Sequence, residues 1–127
     1  MITTRRILVS VFALSALAAC GGSPASSSSS GASGNAAGAA LGTATETITA
    51  TDQLQFSPTS TAAHVGDIVE WSNTGTVTHT VTFDSDQSLS DSSLNAGGKW
   101  QVKFTTAGTY AYHCTIHANM SGTITVS

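Results

Sequence analysis

From Thr45 to Val126 apolar and polar side chains alternate in short runs rich in Thr, Val and Ile, and each run stops at Gly, Asn, Asp or Ser. A period of two sends successive side chains to opposite faces of a strand, and the stretch carries no useful run with the 3.6-residue repeat of a helix. The alternation predicts strands at Thr45–Ala50, Thr59–His64, Ile68–Asn73, His79–Phe83, Lys99–Phe104, Thr109–Cys114 and Thr123–Val126. Turns fall at Gly66-Asp67, Thr74-Gly75, Gly97-Gly98 and Ala107-Gly108. Short strands at this spacing indicate an all-β, two-sheet sandwich, because each sheet hides its apolar face only against another layer.

The chain before this region has a different character. Residues 1–19 read as a lipoprotein signal peptide: Arg5 and Arg6 precede the apolar run Ile7 to Ala19, which is too short and too rich in Ala and Ser for a permanent membrane span. Leu17-Ala18-Ala19-Cys20 resembles the bacterial lipoprotein signal, in which the Cys becomes the lipidated first residue of the mature chain. An ordinary signal cleaved nearby, with Cys20 left as a thiol, is the alternative. The Sec and twin-arginine export routes both remain open. Residues 20–43 are almost only Gly, Ser and Ala, with serine at every position from Ser26 to Ser30. Such a segment has too little apolar surface to offset the entropy of ordering, so it is expected to be a flexible tether with a typical span of about 25–30 Å. The folded domain is then expected at residues 44–127.

All 7 acidic residues lie after Cys20, whereas only Lys99 and Lys103 of the 4 basic ones do. The exported chain is therefore acidic and has no basic patch, which excludes nucleic acid as a partner and electrostatic attachment to anionic lipid. A membrane contact would come through lipid on Cys20, placing a monomeric domain in the periplasm or at the cell surface. The two cysteines do not form a disulfide framework, because Cys20 sits at the lipidation position. Cys114 is thus a single thiol in an oxidising compartment, and metal coordination is a use for it.

Strand parity sorts the remaining side chains. Val69 with Trp71, and Trp100 with Val102 and Phe104, are expected on inner faces. Val77, His79, Val81 and Phe83 share one parity, and Tyr110, Tyr112 and Cys114 another, so an imidazole and a thiol point inward while His113 points out. Downstream of Cys114 come His117 and Met120, a thiolate, an imidazole and a thioether at positions 0, +3 and +6. One loop can wrap these three donors around an ion, with His79 as the fourth. A His₂Cys set with a weak axial Met is the blue-copper electron-transfer arrangement, and its mixture of soft and borderline donors keeps Cu(I) and Cu(II) both accessible.

At this point the sequence resembles the cupredoxins, and within them the amicyanin and plastocyanin group. The resemblance runs through Phe56-Ser-Pro58, Val65-Gly66-Asp67, Val69-Glu-Trp71-Ser-Asn73, His79-Thr-Val-Thr-Phe83, Gly108-Thr-Tyr110-Ala-Tyr112-His-Cys114 and Gly122-Thr-Ile-Thr-Val126. Cys-x-x-His-x-x-Met is the amicyanin spacing. The resemblance implies a Greek-key sandwich of about seven strands binding one copper ion through His79, Cys114, His117 and Met120. It also implies that electrons pass to redox protein partners through the ring of His117, at the surface end of the sandwich within an apolar patch. Two positions depart from the family pattern. Ile116 stands where Pro is frequent, and Thr80 stands where an Asn side chain often joins the two ligand loops. The Thr80 hydroxyl is shorter and less securely placed for that tie, so loop rigidity and reduction potential stay open, while its backbone N–H is a candidate donor to the Cys114 sulfur.

The other candidates carry less. His64 precedes a turn and is expected in solvent, Trp71 and Trp100 in the core, and Asp84, Asp86 and Asp91 in a solvated loop. A copper oxidase or reductase needs a second centre with further histidines, for which only His64 and His113 remain, so the chain is expected not to be an enzyme. A copper-binding lipoprotein for storage, delivery or sensing would use the same ligands as an electron carrier, and stays open.

Overall fold

The computed structural model describes residues 34–127, and the expected signal peptide, Cys20 and most of the expected tether lie outside that range. Among the described residues, ten strands form two five-stranded sheets. In chain order they are β1 (Ala36–Gly38), β2 (Glu46–Thr51), β3 (Gln55–Ser57), β4 (Ser60–Ala63), β5 (Ile68–Asn73), β6 (His79–Phe83), β7 (Asp91–Leu94), β8 (Lys99–Lys103), β9 (Gly108–His113) and β10 (Ser121–Val126). One sheet has the order β1-β8-β5-β2-β3 and the other β4-β10-β9-β6-β7. Neighbours are antiparallel except β2 with β5 and β4 with β10, the pairs that crossovers between the sheets bring side by side.

The seven predicted strands are present, with ends shifted by no more than two residues, and β1, β3 and β7 are additional. β1 lies within the C-terminal part of the expected tether. Ala36–Gly38 pairs with Gln101–Lys103 of β8, and the chain that follows is fixed to the outer face of the sheet. The amides of Leu41 and Gly42 donate to the Gln101 side-chain oxygen, at 2.5 and 3.1 Å, and Gln101 Nε2 donates back to the Gly42 carbonyl. Asn35 accepts from the Thr105 amide and donates to the Tyr110 hydroxyl, which itself donates to the Thr106 carbonyl. Residues 35–42 are thus bonded to β8 and to the segment after it.

This strap explains two exceptions to strand parity. Glu70 and Gln101 belong to the outward parity of β5 and β8 yet are buried. Glu70 is satisfied by Lys99 at 2.7 Å and Gln101 at 2.8 Å, and mainly the Lys99 contact holds its carboxyl below the usual range. A buried polar group without such partners would be costly.

Between the sheets lie Ile48, Phe56, Val69, Trp71, Val81, Phe83, Val102, Phe104, Tyr112 and Ile124, all essentially solvent-free. Burial of a Phe, Val or Ile side chain here contributes about 1.5–3 kcal/mol. The Tyr112 ring is the centre of an aromatic group, 4.9 Å from Phe56, 5.2 Å from Trp71 and 5.6 Å from Phe83. Burial pushes its phenol up to about 12. Trp100 is only partly buried, and its indole N–H donates to the Leu89 carbonyl at 2.8 Å. Val77 is 37 % exposed and departs from the inward parity, since it precedes β6.

Candidate metal centre

His79 opens β6, whose pattern of buried residues makes its inner face continuous with the core. The imidazole is completely buried. The loop before it is clamped from two sides. Asn73, at the end of β5, donates through Nδ2 to the carbonyls of Val77 (2.7 Å) and Leu94 (2.9 Å) and accepts from the Gly75 amide at 2.9 Å. Asp52, in the turn after β2, accepts through Oδ1 from the amides of Thr76 (2.7 Å) and Val77 (3.2 Å). These bonds hold the Asp52 carboxyl below the usual carboxylate range, that from Thr76 most strongly.

The other arm follows β9. Cys114 is buried, and its amide donates to the Met120 carbonyl at 2.8 Å, closing residues 115–119 into a short loop. Asn119 makes the closure possible by taking a left-handed conformation (φ 62°), which Asn tolerates better than most residues. The chain thereby turns back to bury Met120 at the start of β10. His117 lies half-buried in this loop, while Ile116 is 54 % exposed.

The two arms meet at three donor atoms. His79 Nδ1 and His117 Nδ1 face each other at 3.2 Å, and Cys114 Sγ is 3.6 Å from His117 Nδ1. His79, Cys114 and His117 place their ligand atoms within 4.8 Å of one another. Donors that share one ion at about 2.0–2.3 Å with near-tetrahedral angles have such separations. Burial, and then the neighbouring His117 ring, hold His79 below the ordinary imidazole range, while the Asp52 carboxylate and the Thr51 backbone act more weakly in the opposite direction. A neutral His79 leaves a ring lone pair for a cation, and its buried Nε2 has no partner in hydrogen-bonding geometry. The donor set thus fits copper, with two imidazoles, a thiol and the buried thioether residue Met120 on the same loop.

The surroundings of the sulfur are also defined. The Thr80 amide lies 3.4 Å from Cys114 Sγ and donates to it. The Thr80 hydroxyl accepts from the Thr115 amide at 2.8 Å and lies 3.1 Å from the Thr115 hydroxyl, so this side chain joins β6 to the ligand loop. Bonds of this kind orient ligands and tune a metal. His113, on the opposite face of β9, contacts Asp84 at 2.7 Å, and His64 lies 3.3 Å from the Ser127 hydroxyl. The acidic residues after β6 each have a local use. Asp84 faces His113, Asp86 caps the short 3₁₀ turn Gln87–Leu89 through the Ser88 amide, and Asp91 accepts from the Ser93 amide.

Sequence reading did not find Asp52, Asn119 or the clamping role of Asn73. Asp52 is 24 residues from Thr76, and no local pattern connects the two. The left-handed Asn119 had a weak signal, as an Asn between two ligand positions in a loop.

The comparisons with known proteins agree with this geometry. The description "copper binding proteins, plastocyanin/azurin family" matches residues 43–127. A plastocyanin of Scenedesmus fuscus is 40 % identical over 85 residues, which cover 58 % of this chain and 87 % of that protein. Amicyanin-alpha of Methylorubrum extorquens is 31 % identical over 78 residues, covering 58 % of this chain and 66 % of the relative. Among solved structures, a reduced tryptophan-to-tyrosine mutant of amicyanin superposes with a TM-score of 0.62 at 25 % identity, covering 75 % of this chain and 93 % of that one. With the sandwich and the His-Cys-His-Met cluster, these matches establish that the chain belongs to the plastocyanin/azurin family of copper-binding electron-transfer proteins, the cupredoxins.

Proposed function

We propose that the protein is a one-electron carrier working outside the cytoplasmic membrane, with a single copper held by His79, Cys114, His117 and Met120. The observation that carries this reading is the convergence of the His79, Cys114 and His117 donor atoms within 4.8 Å, on one side from a largely buried strand and on the other from a surface loop. Bound copper supplies the Cu(I)/Cu(II) couple. The chain's residues do the rest. His79 and Cys114 keep water away from the inner side of the centre through their burial. The Thr80 N–H stabilises electron density on the Cys114 sulfur, which favours the reduced state. His117, half-buried beside exposed Ile116, is the ligand through which a redox protein partner would exchange electrons.

In this reading Cys20 carries the lipid that attaches the chain to a bacterial membrane, the Ser-rich segment after it is the tether, and the domain is a monomer. The export signal supports the location, and the length of the tether suits a domain that must turn toward its partners.

The test is the optical spectrum of the purified protein after addition of Cu(II). An intense blue thiolate-to-copper band, lost in Cys114→Ala, is expected, and a colourless wild-type protein would overturn the assignment. Reversible voltammetry with slow copper exchange supports a carrier, whereas ready loss of copper to a chelator would indicate copper delivery instead.

A further inference from the structure

We propose that Asp52 is a positioning residue of the metal centre: its carboxylate fixes the path of Thr76 and Val77 into His79 and places a negative charge on the inner-histidine side of the site. The proposal rests on His79 being a ligand. Asp52 lies in the turn between β2 and β3, in the sheet that does not contain His79, and its contacts reach the loop that carries the chain from β5 of that sheet into β6 of the other.

Three bonds hold the loop. Oδ1 accepts from the Thr76 and Val77 amides, and Oδ2 lies 3.3 Å from the Thr76 hydroxyl. Gly75 is part of the same arrangement, because a Cβ there would run into the Asp52 carboxylate. The glycine is needed for this close approach rather than for an unusual backbone angle. Asn73 holds the same loop from the other side, through Gly75 and Val77. Together the two side chains leave Thr74–Thr78 little freedom to shift His79 along β6. An anion on this side also favours the more positive, oxidised state of a neighbouring redox centre. Asp52 is exposed, so salt would screen that effect.

The experiment uses Asp52→Ala, Asp52→Asn and Gly75→Ala in the full chain, metal-free and copper-loaded. In the metal-free protein, amide hydrogen exchange at Thr76 and Val77 should rise about fivefold or more in Asp52→Ala and Gly75→Ala, and much less in Asp52→Asn, which keeps an acceptor oxygen. In the copper-loaded protein, Asp52→Ala and Gly75→Ala should shift or broaden the thiolate-to-copper band. Asp52→Asn should keep the band and raise the reduction potential at low salt, with the difference disappearing near 1 M salt. The double variant Asp52→Ala/Gly75→Ala should be no worse than either single one, since both break the same contact. A blue wild type with Asp52→Ala indistinguishable from it in exchange, band and potential overturns the proposal, as do fully additive effects in the double variant. A wild type without the blue band overturns the assignment of His79, and the role of Asp52 with it.

Discussion

The two arms of the metal centre are built differently. His79 is wholly buried on β6, with β9 on one side and β7 on the other, and the loop before it is clamped by Asn73 and Asp52. The Cys114–Met120 arm is a surface loop, buried only at its two ends and held there by one backbone bond and the Thr80 hydroxyl. The difference separates two tasks. The strand arm is part of the fold and would fix where an ion sits, whereas the loop arm brings the half-buried His117 to the outside. Ile116, in a position where the family often has Pro, lies exposed on the loop arm.

Substitutions can break or sharpen this division. The largest effect is expected at Met120, which belongs to the loop in sequence but to the core in burial. Met120→Ala should cost the metal-free domain about 2–5 kcal/mol in urea unfolding, and a much smaller loss would place the whole loop outside the core. Next, His79→Ala should destabilise the metal-free domain by about 1–3 kcal/mol, whereas His117→Ala should change it by about 0.5 kcal/mol or less. Equal losses in the two variants would remove the contrast. Thr80→Val leaves the Thr115 amide without its acceptor and should cost about 1 kcal/mol, with faster copper loss as the loop loosens. The smallest effect belongs to Ile116→Ala, within about 0.5 kcal/mol of wild type by the same unfolding measurement.

Much of this was legible in the alternation of side chains. The predicted ranges of β5 and β6 coincide with the observed ones, because Val69, Trp71, Val81 and Phe83 mark the inner face without ambiguity. The three strands that were not predicted lack that mark. β1 is Ala-Ala-Gly, and only its partner β8 makes it a strand. β3 has a single inward residue, Phe56, and β7 reads Asp-Ser-Ser-Leu, a loop composition with only Leu94 buried. In the candidate centre, the Cys114–Met120 spacing and the parity of His79 pointed to side chains of which His79, Cys114 and His117 converge, and Thr80 was singled out through its place beside His79. Asp52 was invisible for the reason β1 was. Its partners are set by how the chain returns on itself, and its own residue type describes only a turn.

The edge position of β1 has a mechanical consequence. A force applied to the N-terminal side of the domain enters at the three residue pairs between β1 and β8 and at the Gln101 clamp. Those contacts are in the sheet that carries neither β6 nor β9, so they can give way as a sacrificial link. A pull on the chain at residue 34 would release the strap from residue 34 to about 44 before any load reached the strands that bear His79 and Cys114.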